Sequence, residues 1–105
     1  MTAQRNTPGD LSRERHAEYK IPGGKLVVVD LKVDAGVLRG VRLSGDFFLE
    51  PPETLDVIDA ALEGLPANAG TAQIEQAVET ALDSETMMYG LTVAGIAEVI
   101  RRALQ

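Results

Sequence analysis

The chain has 105 residues, 45% of them apolar and 25% charged, with a formal net charge of −6 and no cysteine. That length fits one domain with a modest core, and the missing thiols exclude disulfides, thiolate metal sites, iron–sulfur ligation and cysteine-based sulfur relay. No apolar leader opens the sequence and no stretch approaches ~18 apolar residues, so a soluble, cytoplasmic protein is the expectation.

The charge is unevenly spread. Residues 1–45 carry eight Lys/Arg against five Asp/Glu, whereas residues 46–100 carry eleven Asp/Glu and no Lys or Arg. An acidic back half argues against nucleic acid or an anionic membrane as its partner, while the mildly basic front half suits a small anionic ligand.

Residues 1–16, polar, aperiodic and containing Pro8-Gly9, read as a disordered tail. The single histidine, His16, falls at its end and reads as solvated, since no second ligand is spaced for a metal. "AEYKI" is a candidate first strand. In "KLVVVDLKVD", Val27, Val29, Leu31 and Val33 share one face while the other passes from Leu26 and Val28 to Asp30, Lys32 and Asp34. "VLRGVRLSG" repeats the alternation, with Val37, Val41 and Leu43 together, and "DAG" between the two runs predicts a hairpin with Gly36 at positive φ. "IPGGK" predicts a second turn of type II, Pro22 presetting φ and Gly23 taking the positive value.

After "GDFFLEPP" the period becomes helical. Leu55, Ile58, Leu62 and Leu65 form a first stripe ended by Gly64 and Pro66. A second helix starts near Thr71 with Ile74, Ala77, Val78, Ala81 and Leu82 on one face. "DSETMMYG" reads as a connector. A third helix follows Thr92 as N-cap, with Val93, Ile96, Ala97, Ile100 and Leu104 as its stripe and Arg101 and Arg102 in its last turn. The predicted fold is α+β: an antiparallel three-stranded meander followed by three helices packed on one face.

Few residues offer chemistry. "PGGK" lacks the upstream glycine, the hydroxyl residue and the following helix of a Walker loop, so a self-contained nucleotide loop is excluded. Two readings stay open: a tight turn with a solvated lysine, or an anion-attracting tip flanked by Lys20 and Lys25. Glu53, Asp56, Asp59 and Glu63 lie off the first helix's apolar stripe, as a solvated face or as carboxylates for a cation or a basic partner. Asp46 fits a turn cap or an acid/base residue. Phe47 and Phe48 are adjacent in an extended segment and should face opposite ways. Met87, Met88 and Tyr89 fit either a loop packed over the core or an adaptable contact surface. No nucleophile–base pair or zinc spacing is present, which disfavours an independent enzyme.

Three segments together carry a resemblance. "YKIPGGKLVVVDL", "VRLSGDFFLEPPETLDVIDAAL" and "YGLTVAGIAEVIRRAL", in this order, resemble the C-terminal accessory domain of lipoate–protein ligases over about residues 19–104. That family has a K-x-P-G-G-K turn, a G-D-F-F-L turn, and a Y-G-L-T start to an I-A-x-x-I-x-x-A-L helix. Because the sequence reaches Tyr19 without a large catalytic domain, it is similar to the free-standing small subunit of two-part ligases, with residues 17–105 as the accessory domain.

The resemblance implies a heterodimer whose large subunit uses lipoate and ATP with Mg. The small chain is needed to form lipoyl-AMP, and transfer to the lysine of lipoyl-domain acceptor proteins is the large subunit's work. This chain would then hold no catalytic residue, metal or cofactor alone, and would meet neither nucleic acid nor membrane. Lys20, Pro22, Gly23, Gly24 and Lys25 would form a turn facing the active site of the large subunit. Asp46, Phe47, Phe48, Met87, Met88 and Tyr89 would be candidates for the partner interface. The competing expectation is a non-catalytic adaptor or scaffold domain of similar fold.

Overall fold

A computed structural model describes residues 13–105. Strands β1 (Arg13–Lys20), β2 (Leu26–Asp34) and β3 (Val37–Gly45) form an antiparallel sheet in the order β1-β2-β3. Two short strands, β4 (Phe48–Glu50) and β5 (Met87–Tyr89), pair antiparallel as a separate ribbon. Helices α1 (Thr54–Leu62), α2 (Thr71–Ala81) and α3 (Val93–Ala103) complete the α+β fold.

The alternation in β2 is the organising signal. Val27, Val29 and Leu31 are buried and face the helices, while Asp30 and Lys32 are exposed. Helix α3 packs on β1 and β2, α1 on β3, and α2 bridges α1 and α3. Ile58 and Leu62 of α1, Ile74 and Val78 of α2, and Ile96, Val99 and Ile100 of α3 close the core from the other side. Burying each such side chain contributes about 1.5–3 kcal/mol from transfer out of water. The third helix is set by its predicted cap: Thr92 Oγ1 accepts the Gly95 N–H at 2.9 Å.

The structure corrects three sequence expectations. First, the expected tail runs too far. Residues 1–12 lie outside the described residues, but Arg13 to His16 belong to β1, where His16 pairs with Asp30 across the sheet. The imidazole sits 2.7 Å from Asp30 Oδ1 and 3.0 Å from Glu18 Oε2, and these two carboxylates, Asp30 first, raise its pKa above the ordinary 6.5. Ala17 to Lys20 fall in the strand expected from "AEYKI", but the charged outward face of Glu14, His16, Glu18 and Lys20 hid its first residues.

Second, β3 does not keep one period. Leu38, Val41 and Leu43 are buried, whereas Val37 is only half-buried. The pairing slips between Asp30–Arg42 and Lys32–Arg39, and Gly40 at φ +61° takes the extra position of a β-bulge. The extra residue reverses the inward parity, so Leu38 replaces Val37 in the core.

Third, the carboxylates on α1 and at its C-cap, Glu63, do not form a uniformly solvated face. Glu63 Oε2 accepts the Val41 N–H at 2.6 Å and Asp59 Oδ1 accepts the Leu43 N–H at 3.1 Å. The edge of β3 is closed further by backbone bonds that join Leu38 to Gly64 and Leu65, and the Ala67 N–H donates to the Gly36 carbonyl just before the strand. Edge donors that would otherwise invite another strand are thereby satisfied within the chain.

Candidate functional site: the lysine turn and the aromatic ribbon

The Ile21–Lys25 connection adopts the expected type II geometry. Gly23 has φ +74°, and the Gly24 N–H donates to the Ile21 carbonyl at 2.8 Å. A second bond, from Ile21 N–H to Lys25 O at 3.1 Å, closes the loop. Pro22, Gly23 and Lys25 are exposed at its tip, and Gly24 is half-buried.

This turn is fastened to a distant part of the chain. The Lys25 N–H donates to the Gly90 carbonyl at 2.9 Å. Gly90 has φ +81°, and a Cβ there would fall 2.4 Å from Lys25 Cγ, so the lysine stem lies directly against the Gly90 backbone. Behind the turn, the buried Ile21 packs against Gly95 in the first turn of α3; a Cβ on that glycine would fall 2.4 Å from Ile21 Cδ1.

The Gly-Asp-Phe-Phe segment arrives at the same end, where the Asp46 N–H donates to the Leu26 carbonyl at 3.1 Å. Adjacent phenylalanines then diverge as their extended spacing predicts. Phe47 is half-buried against the core, and Phe48 is 58% exposed. Phe48 pairs with Tyr89 across β4 and β5, their rings stacked at 4.6 Å with an interplanar angle of 18°. Met87 is also exposed, Met88 is half-buried, and the Tyr89 hydroxyl donates to Met87 Sδ at 3.4 Å.

The structure thus brings the three quoted segments together: the lysine turn, the turn before Phe48, and the Tyr89–Thr92 run. Lys20 differs from Lys25. Its ammonium donates to the Ile21 carbonyl at 3.2 Å and so is engaged locally. Among the described residues, the Lys25 ammonium has no hydrogen-bond or ion-pair partner. Asp46 is exposed, and its backbone rather than its side chain makes the bond that fixes the turn.

Sequence reading missed the β4–β5 ribbon. Three-residue strands are too short to show a period, and "MMY" sits in a stretch that reads as a connector. It also missed a groove of about 250 Å³ beside the ribbon, lined by Phe47, Phe48, Leu49, Glu50, Pro52 and Leu55. Among the described residues, no group of three or more His, Asp or Glu is gathered to hold a metal ion, and no helix is long and apolar enough to cross a membrane.

No protein-family model and no curated protein matches the chain. Its fold is shared with a solved structure. A chain from an archaeal lipoylation system of Thermoplasma acidophilum, described as a bipartite lipoate protein ligase and its E2 lipoyl domain, superposes with a TM-score of 0.64. The match covers 87% of this chain and 96% of that one at 18% sequence identity. At that identity the likeness is one of fold.

Proposed function

We propose that this chain is the accessory subunit of a two-part lipoate–protein ligase, acting with a separate catalytic subunit to activate lipoate as lipoyl-AMP at the expense of ATP. The carrying observation is the convergence at one end of the molecule of the three segments that resemble that family, with Lys25 projecting from a turn braced by Gly90. The shared fold with a chain from a bipartite lipoylation system supports the same reading.

In adenylation, a lipoate carboxylate oxygen attacks the α-phosphorus of ATP and pyrophosphate leaves. Negative charge spreads over the transferring group and the departing oxygens. The catalytic subunit would supply the lipoate and ATP–Mg sites, and this chain would contribute the Lys25 ammonium. A cation on a fixed backbone stabilises that charge without having to reorganise during the reaction. Delivered from a second chain, it need not hold the product for the transfer that follows onto the lysine of a lipoyl-domain acceptor.

The test is lipoyl-AMP and pyrophosphate formation by the catalytic subunit with and without this chain. A large rate difference is expected, and equal rates would overturn the proposal. Lys25→Ala should lower the adenylation rate by about 100-fold, the scale of losing one preorganised charge-stabilising group. Transfer from preformed lipoyl-AMP should keep its rate, because that step leaves the turn unused. An adenylation rate equal to wild type would remove Lys25 from the site.

A further inference from the structure

The β4–β5 ribbon has an outward face that the fold leaves uncovered. Its four outward positions are Phe48, Glu50, Met87 and Tyr89, so three of the four are large and apolar, at 58%, 54% and 39% exposure for Phe48, Met87 and Tyr89. The outward face of the meander, by contrast, presents Glu14, Glu18, Lys32 and Arg42. The apolar surface continues into the groove between Phe48 and Leu55, and Val57 on α1 is also exposed. An aromatic stack beside a groove of side-chain size is the arrangement that accepts a partner's buried anchor.

The surrounding charge selects the partner. Asp46, Glu50, Glu53 and Asp56 are all exposed near the ribbon and its groove, and no Lys or Arg occurs from Asp46 to Ile100. An isologous contact between two copies would set these carboxylates against their own images and is disfavoured. A surface bearing Lys and Arg around an apolar side chain is complementary.

Position links the surface to the lysine turn. Gly90, whose carbonyl holds the Lys25 N–H, directly follows Tyr89. A protein covering Tyr89 therefore comes to lie beside Lys25.

On the reading of the preceding subsection, we infer that the Phe48–Met87–Tyr89 strip and its groove dock the catalytic subunit, through an apolar side chain on that subunit ringed by Lys and Arg. Docking there sets Lys25 against the partner's active site.

The experiment is a titration of the purified catalytic subunit with the full chain by calorimetry at low and high salt. Circular dichroism checks that each variant is folded. Phe48→Ser combined with Met87→Ser should weaken binding about 30-fold, the scale of losing central anchors. Glu50→Lys, which leaves the apolar strip in place, should weaken it about 5-fold and flatten the salt dependence. Asp34→Asn, at the opposite end of the meander, should bind as wild type does.

Wild-type affinity in both the double variant and Glu50→Lys would overturn the docking surface while leaving the accessory role standing. Failure of the wild-type chain either to bind or to activate the catalytic subunit would instead overturn the function on which this inference rests. A wild-type homodimer in sedimentation that the double variant abolishes would give the strip to a second copy and overturn it too.

Discussion

The two turns of the meander do the same topological work in opposite ways. At one end, Ala35 and Gly36 link β2 to β3 through two residues at φ +54° and +81°, the shortest hairpin connection available. At the other end, five residues from Ile21 to Lys25 link β1 to β2, and the turn is bonded to Gly90 and packed on Gly95. A hairpin needs only the first solution. The second orders extra backbone, at about 1–2 kcal/mol of conformational entropy per residue, and ties it to segments far away in sequence. Such a turn holds its position against the rest of the molecule, as the role proposed for Lys25 would require and a plain connector would not.

The sharpest way to break this comparison is to add one methyl group at each end. Gly90→Ala meets both a positive φ and the Lys25 stem, whose nearest atoms are Cγ and Cβ rather than a mobile tip. It should destabilise the fold by about 2–4 kcal/mol, combining a left-handed backbone penalty with overpacking. Gly36→Ala meets a positive φ of the same size but nothing within 4 Å, so only the backbone penalty of about 1–2 kcal/mol remains. Urea midpoints of the two variants measure the difference. Equal losses would show that the Gly90 contact contributes nothing to fixing the lysine turn.

A smaller, opposite effect is available at the short turn. Ala35 is a non-glycine residue at positive φ, a conformation that asparagine tolerates better and that a type I′ hairpin favours. Ala35→Asn should raise stability by about 1 kcal/mol. Since this end lies away from the lysine turn, the proposed function expects the catalytic subunit's rate of lipoyl-AMP formation with this variant to stay the same. A change in that rate would join the two ends functionally and undo the contrast drawn between them.

How much of this was legible in the sequence follows the same division. Period-2 alternation exposed β2, and Pro-Gly-Gly exposed the type II turn, because both signals are local and unopposed. The parity of β3 was hidden, since Gly40 could be recognised as a bulge only once the slip between the Asp30–Arg42 and Lys32–Arg39 pairs was known. The start of β1 was hidden for another reason: Arg13 to His16 contain no apolar residue, and the cover over this strand comes from α3. There the Arg102 guanidinium lies 4.6 Å from the Tyr19 ring centroid, while Arg15 donates to the Ala103 carbonyl at 3.1 Å. Of the site, its segments were readable but their convergence was not. The Lys25–Gly90 bond spans 65 residues, and no local pattern announces a contact of that range.

Carboxylates sharpen the comparison a last time. Around the ribbon they point outward, whereas Asp59 and Glu63 turn inward onto β3. Burial is the main cause that pushes the Asp59 carboxyl up to about 6, with nearby Asp56 and Glu63 adding to it and the Leu43 N–H and Arg42 opposing it. Between the ordinary value of 3.8 and about 6, the folded chain keeps a proton that the unfolded chain has released. More protons bound in the native state means that this group's contribution to stability falls as pH rises through that window. Glu98 acts in the other direction. Arg101 and then Arg102 hold its carboxyl down to about 2, so its contribution is present above the ordinary value of 4.5 and lost as pH falls toward 2. Asp59→Asn keeps an oxygen to accept the Leu43 N–H while removing the charge. Against wild type, the variant should gain relative stability steadily from pH 4 to pH 6 and stay ahead at pH 7, as read from urea midpoints at each pH. Parallel curves would mean that the inward-facing carboxylate is solvated like those around the ribbon, and that α1 seals the sheet edge without desolvating its acids.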